Sequence, residues 1–184
     1  MIILTAIEGA YDWLLFIDDD HTFAPDSFDK LVSNDKDFVV PLMTGRSWPY
    51  NLMAFTYEPL DKERAPHHML ANRIYEWGNK LMPIDTAGLG MALCRVDALA
   101  KLPRPYFDGK LDAPGEDTHF WNLVTSQGNQ LWLDPTVAIG HLERFRRSVG
   151  VVDFADNIEA NKMADESRIE RERAYLERKL VEKK

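Results

Sequence analysis

Asp18, Asp19 and Asp20 stand in a row directly after the apolar run Trp13-Leu14-Leu15-Phe16-Ile17. Adjacent carboxylates repel one another unless positive charge sits among them. A divalent cation carrying a phosphate meets that need. The apolar run has the composition of a buried strand, and the carboxyl ends of such strands deliver side chains into the ligand crevice of open α/β sheets. Three further pieces follow along the chain. Thr86-Ala87-Gly88-Leu89-Gly90-Met91 puts two glycines at a strand entry, Gly115-Glu116-Asp117 opens an apolar helix, and Ile139-Gly140-His141-Leu142 follows the last predicted strand. Each has a plainer use. Acids after a strand can be a solvated turn, Glu116 and Asp117 suit a helix N-terminus through its dipole, and a lone histidine is often structural.

The elements that must position these groups follow from pattern and punctuation. A short helix over residues 2–10 leads into a strand at 13–17. Pro25 suits a helix start, and Phe28, Leu31 and Val32 give that helix an apolar stripe. Phe38-Val39-Val40-Pro41-Leu42 reads as a second buried strand. Residues 44–70, rich in Pro, Arg, Tyr and His, predict an irregular, mobile excursion with a strand at 52–57. Strands at 84–86 and 90–95 are expected around the turn Ala87-Gly88-Leu89-Gly90, then a short helix from Val96 to Leu102 that Pro103 stops. Pro105 to Pro114 reads as a loop. A helix runs from Glu116 to Ser126 with Phe120, Leu123 and Val124 on one side and Gly128 as its stop. Leu131–Leu133 and Val137–Ile139 are expected as two strands separated by an Asp134-Pro135 turn. The predicted organisation is a domain at 1–150 and, at 151–184, a charged helical extension in which Ile169, Leu176 and Leu180 form a thin apolar stripe.

Composition bounds the function class. The 184 residues, 45% hydrophobic and 28% charged, suffice for one domain with a core. A net charge of −8 argues against a nucleic-acid binder. The single cysteine, Cys94, lies in the apolar run Gly90–Cys94 and reads as core. No intrachain disulfide is possible, which fits a reducing, cytoplasmic setting. No apolar run approaches the roughly 18 residues of a membrane span.

Taken in this order and spacing, the four pieces resemble the GT-A glycosyltransferases, family 2-like members above all, over about residues 11–147. The resemblance implies an α/β fold with a mixed sheet flanked by helices, and metal-dependent transfer of a sugar from a nucleotide-diphosphate donor, a UDP- or GDP-sugar, to a hydroxyl acceptor. It implies Asp18, Asp20 and His141 as ligands of Mn²⁺ or Mg²⁺, with Mn²⁺ the more tolerant of nitrogen. Asp117 matches the catalytic base of inverting members, with Glu116 beside it to position the acceptor. A carboxylate serves as base where burial or acid neighbours raise its pKa. Asp18, Asp19, Gly88 and Gly90 fall on the donor, the glycines letting backbone approach it closely. Arg144, followed by Arg146 and Arg147, is placed to reach the diphosphate or else forms a solvated basic face. Trp48, Tyr50, Tyr57 and Trp77 are candidates to stack on a sugar, with packing as the alternative. His67-His68 has no acid or cysteine at ligand spacing and is not expected to bind metal.

Two rival readings stay open. Asp18-Asp19-Asp20-His21-Thr22 also fits the DxDxT loop of haloacid-dehalogenase-like phosphatases, which leaves the Gly88 turn and His141 unexplained. The second rival is non-catalytic. A GT-A domain opens with a β-α-β unit that holds the nucleoside base, and only a dozen residues precede the acidic strand here. The expectation is a GT-A-like domain lacking that unit, a fragment, a chain completed by another polypeptide, or a degenerate protein, whose exposed sheet edge is covered by homo-oligomerisation with help from the C-terminal helix. A calcium loop of EF-hand type fails because Phe23 stands where the turn glycine belongs.

Overall fold

The computed structural model describes residues 2–48, 50–58, 68–71, 79–107, 115–143, 147–149 and 170. Among them the chain forms α1 (Ile2–Glu8), β1 (Trp13–Ile17), β2 (His21–Thr22), α2 (Ser27–Ser33), β3 (Phe38–Leu42), β4 (Ala54–Glu58), β5 (His68–Ala71), β6 (Met82–Ile84), β7 (Thr86–Ala87), β8 (Met91–Arg95), α3 (Val96–Leu99), α4 (Glu116–Ser126), β9 (Leu131–Ala138), β10 (Gly140–Glu143) and β11 (Arg147–Val149). This is a mixed α/β fold.

The frame is a five-stranded sheet in the order β1-β8-β3-β9-β6. β3 and β9 run parallel and the other three pairings are antiparallel. All five residues of β3 are buried, as expected of a strand covered on both faces. β1 pairs with β8 from Trp13↔Arg95 to Ile17↔Met91 and lies at the sheet edge among the described strands. Phe38, Leu93, Leu131 and Leu133 from the sheet meet Phe120, Trp121 and Val124 of α4 and Leu31 of α2 in one core. Each such large side chain contributes about 1.5–3 kcal/mol when fully buried. α1 buries Ile3 and Ala6 and packs against α3.

Two small three-stranded sheets carry the loops over this frame, β11-β10-β2 and β5-β4-β7. The second contains the strand expected at 52–57, as β4, and adds an unexpected strand, β5, that begins within the stretch read as irregular. β4 pairs with β5 from Phe55↔Ala71 to Glu58↔His68, and the other side of β4 pairs with β7. Residues 59–67 lie outside the described part. β7 and β8 belong to different sheets, so the turn at 87–90 is a crossing between sheets and not a hairpin.

β9 is a second correction, because it runs unbroken through Asp134-Pro135. Asp134 Oδ1 accepts from the Thr136 backbone N–H at 2.9 Å and from the Thr136 hydroxyl at 2.6 Å, which reproduces a turn locally. The register against β3 shifts there, from Pro41↔Asp134 to Leu42↔Ala138, so a bulge absorbs the turn. In α4, Trp121 joins Phe120 and Val124 in the core and Leu123 is only half-buried. Gly128 adopts φ +79° just past the helix, where only glycine is unstrained. The expected terminal helix over 159–184 lies outside the described residues except for Glu170. No described helix is long and apolar enough to cross a membrane.

Candidate functional site

The end of β1 continues its ladder one step further, with the Asp18 N–H donating to the Gly90 carbonyl at 2.9 Å. The chain then turns at Asp19 and Asp20 and enters β2, which pairs with β10 through His141↔His21. Directly opposed residues in an antiparallel pair share a face. The two imidazoles accordingly lie with centroids 4.3 Å apart and planes 31° apart. The Leu142 N–H donates to the Asp20 carbonyl at 2.8 Å and fixes the turn against β10.

Asp20, His21 and His141 form one cluster, with a ligand atom from each lying within 4.8 Å of the others. Asp20 Oδ2 is 3.1 Å from His141 Nε2, and Asp20 Oδ1 is 3.3 Å from His21 Nδ1. The angle at His21 makes no hydrogen bond. Its Nδ1 is therefore buried without a hydrogen-bond partner among the described residues, although it faces a carboxylate. The His21 side chain is only 3% exposed. Burial, and then the neighbouring His141, push its pKa below the ordinary value, against the pull of Asp20 and Asp18. A neutral imidazole with a free lone pair is a metal donor.

His141 carries the sharper constraint. Its Nδ1 is 3.1 Å from the Thr44 carbonyl oxygen while its Nε2 is 3.1 Å from the Asp20 carboxylate. Both neighbours are acceptors, and a neutral imidazole has a single N–H. One contact therefore sets lone pair against lone pair unless a cation, a second proton or a metal ion, lies between the ring and its neighbour. Donation from Nδ1 to a backbone carbonyl is the arrangement that orients metal-bound histidines. One carboxylate and two imidazoles suit a first-row divalent ion such as Mn²⁺ better than Mg²⁺. The residues present therefore fit such an ion. Burial pushes the Asp20 carboxyl up, but the hydrogen bond and charge of His141, with His21 and Arg46, outweigh it and hold the group below the usual range. The Arg46 guanidinium donates to Asp20 Oδ2 at 3.1 Å.

Gly88–Gly90 links this cluster to a second carboxylate. A Cβ on Gly90 would overlap the His21 ring, coming within 2.6 Å of Nε2, so only glycine admits the imidazole there. The Leu89 N–H donates to Asp117 Oδ2 at 3.2 Å, and a Cβ on Gly88 would lie 3.9 Å from that same oxygen. Asp117 sits in the first turn of α4 after Gly115. Burial raises its pKa, the Leu89 hydrogen bond opposes this, and the charges of Glu116 and Asp18 raise it further. Oδ1 accepts no hydrogen bond among the described residues.

Of the residues picked out from sequence, the fold brings together Asp20 and His141, and places Asp117, Gly88 and Gly90 beside them. Asp18 is exposed and stands outside the three-residue cluster, though its charge acts on both His21 and Asp117. Asp19 is exposed on the turn and Glu116 is exposed at the helix start. Arg144 and Arg146 lie outside the described residues, as do His67 and Trp77. Trp48 is 68% exposed, whereas Tyr50 is buried. His21 and Arg46 were not anticipated. His21 had one visible signal, its place beside Asp20. Arg46 had none.

No family model matches the chain, and no curated protein matches it in sequence. Solved structures do match, 17 chains among them. The crystal structure of A197 from STIV aligns with a TM-score of 0.52 and 18% identity, covering 80% of this chain and 71% of A197. At that identity the likeness speaks for a shared fold alone.

Proposed function

We propose that this chain is a GT-A-like glycosyltransferase domain that moves a sugar from a nucleotide-diphosphate donor to a hydroxyl acceptor. The observation that carries the reading is the pairing of a cation-ready Asp20-His21-His141 cluster with a half-buried, proton-affine Asp117 on one short segment, Gly88–Gly90. In this reading Asp20, His21 and His141 hold Mn²⁺ or, less suitably, Mg²⁺. When bound, the ion offsets charge on the departing diphosphate. Asp117 takes the proton of the acceptor hydroxyl at Oδ1 while Leu89 holds Oδ2. Its raised pKa makes it a stronger base than an ordinary carboxylate. Exposed Glu116 contacts the acceptor, and exposed Asp18 faces the donor. Gly88 and Gly90 leave room for backbone to approach the sugar.

A thermal-shift panel of UDP-, GDP-, CDP- and TDP-sugars with and without Mn²⁺ tests this. Stabilisation by at least one donor is expected, and only with the ion present. The reading fails if no donor shifts the melting temperature in Mn²⁺. Hydrolysis of a generic phosphoester, abolished in Asp18→Asn, would favour the phosphatase chemistry of the same loop instead.

A further inference from the structure

We propose that Arg46 is the residue that grips the donor's diphosphate, neutralising Asp20 in the ion-free site and passing to phosphate oxygens when a cation is bound. This rests on the nucleotide-sugar reading above. Arg46 donates to the same Asp20 oxygen that faces His141 Nε2. The carbonyl that orients His141 belongs to Thr44, two residues earlier. The stretch Thr44-Gly45-Arg46 therefore touches both the carboxylate and one imidazole of the cluster. Its base is rigid. Thr44 bridges to Leu52, the Gly45 N–H donates to the Asn51 carbonyl at 2.8 Å, and the Tyr50 N–H donates to the Ser47 carbonyl at 2.8 Å. The Arg46 side chain itself is 62% exposed, and among the described residues Asp20 is its only partner.

The physics of exchange is direct. Arginine keeps its charge at any working pH, and its planar fork of five N–H donors matches the oxygens of a phosphate. Asp20, once it held a divalent ion, would no longer need the Arg46 guanidinium as its counter-charge. An exposed ion pair is weak and exchanges readily. The nearest new anion is a phosphate carried by the bound ion. Arg46 already reaches the cluster at Asp20, so its long side chain would need only to turn toward such an anion.

Calorimetric titrations of the intact chain with Mn²⁺, and then of the Mn²⁺-loaded chain with inorganic pyrophosphate, test the assignment. In R46Q, Mn²⁺ should bind as tightly as in wild type or more tightly, because a competing cation is gone. Pyrophosphate should bind at least tenfold more weakly, and R46K should recover part of that loss. Unchanged pyrophosphate affinity in R46Q overturns the role of Arg46 and leaves the metal site standing. Parallel loss of Mn²⁺ and pyrophosphate, or an R46K as weak as R46Q, overturns it as well, since the effect would then lie in the loop and not in the charge. A wild-type chain that binds neither Mn²⁺ nor pyrophosphate overturns both this role and the transferase reading.

Discussion

Asp20 and Asp117 are both acids near the Gly88–Gly90 segment, yet their surroundings push them in opposite directions. Asp20 lies among two imidazoles and a guanidinium, which hold its pKa down despite burial. Among the described residues Asp117 has no cation beside it, only one backbone N–H and the charges of Glu116 and Asp18 in range, and burial leads in raising its pKa. The difference bears on the proposed roles. A carboxylate held below the usual range and flanked by nitrogen donors is suited to a cation, and a carboxylate that holds its proton more tightly is suited to proton transfer. Neither role follows from residue type. Both follow from which side chains β2, β10 and α4 place around each acid.

The sharpest way to break this contrast is Asp117→Asn. Asparagine can still accept from Leu89 but cannot take a proton. Transfer should fall about a thousandfold while Mn²⁺ and nucleotide affinity, read by calorimetry, stay within about twofold of wild type. Equal turnover by mutant and wild type would remove Asp117 as the base.

Asp20→Ala attacks the other side. Mn²⁺ affinity should drop by about a hundredfold or more, beyond the 10–100-fold typical of lost orienting partners. Electron paramagnetic resonance of free Mn²⁺ reads this directly, and unchanged binding would end the assignment of the cluster.

Gly90→Ala asks whether the two sites separate. The added methyl collides with His21, so urea unfolding should show a loss of about 1–3 kcal/mol together with weaker Mn²⁺ binding. Nucleotide-free features of Asp117 should survive. A variant as stable as wild type would mean that His21 has room to move.

The smallest effect is in stability against pH, and its sign is specific. A carboxyl whose folded pKa is raised contributes stability that is complete below the unfolded value and lost as pH rises through the folded one. Wild type and Asp117→Asn should therefore melt together below about pH 3.5, under the ordinary aspartate pKa. The asparagine variant should gain on wild type as pH rises toward neutrality. A wild type that melts higher at neutral pH would contradict the burial assigned to Asp117.

Punctuation made some of this legible from sequence. α4 runs from Glu116 to Ser126 as expected, because Gly115 and Gly128 bracket an apolar stripe. β1 and β3 match the expected strands because continuous apolar runs of that length have few other uses. Asp134-Pro135 misled because a turn signal acts on local backbone, while pairing with β3 and a bulge kept the strand continuous. The same reasoning explains the site. Asp20, His141, Asp117 and the glycines stand out as motifs within short windows of sequence. His21 becomes a partner of His141 only through the register of β2 on β10, 120 residues apart in the chain, and Arg46 meets Asp20 only through the loop closed by Asn51 and Leu52. No local pattern encodes such pairings.

The Thr44 carbonyl that faces His141 is main chain, and this bears on how the site tolerates mutational drift. An orienting carboxylate can be lost by one nucleotide change, but a peptide oxygen is present whatever residue occupies position 44. The Thr44 side chain is fully buried and its hydroxyl makes no hydrogen bond among the described residues, so position 44 constrains the size of its side chain and not its polarity. The contact that sets the direction of His141 Nε2 is thus independent of the chemistry of the side chain at position 44, as long as that side chain fits the buried site. It depends on the path of the loop, and is exposed to insertions and deletions between Leu42 and Leu52 far more than to point changes there.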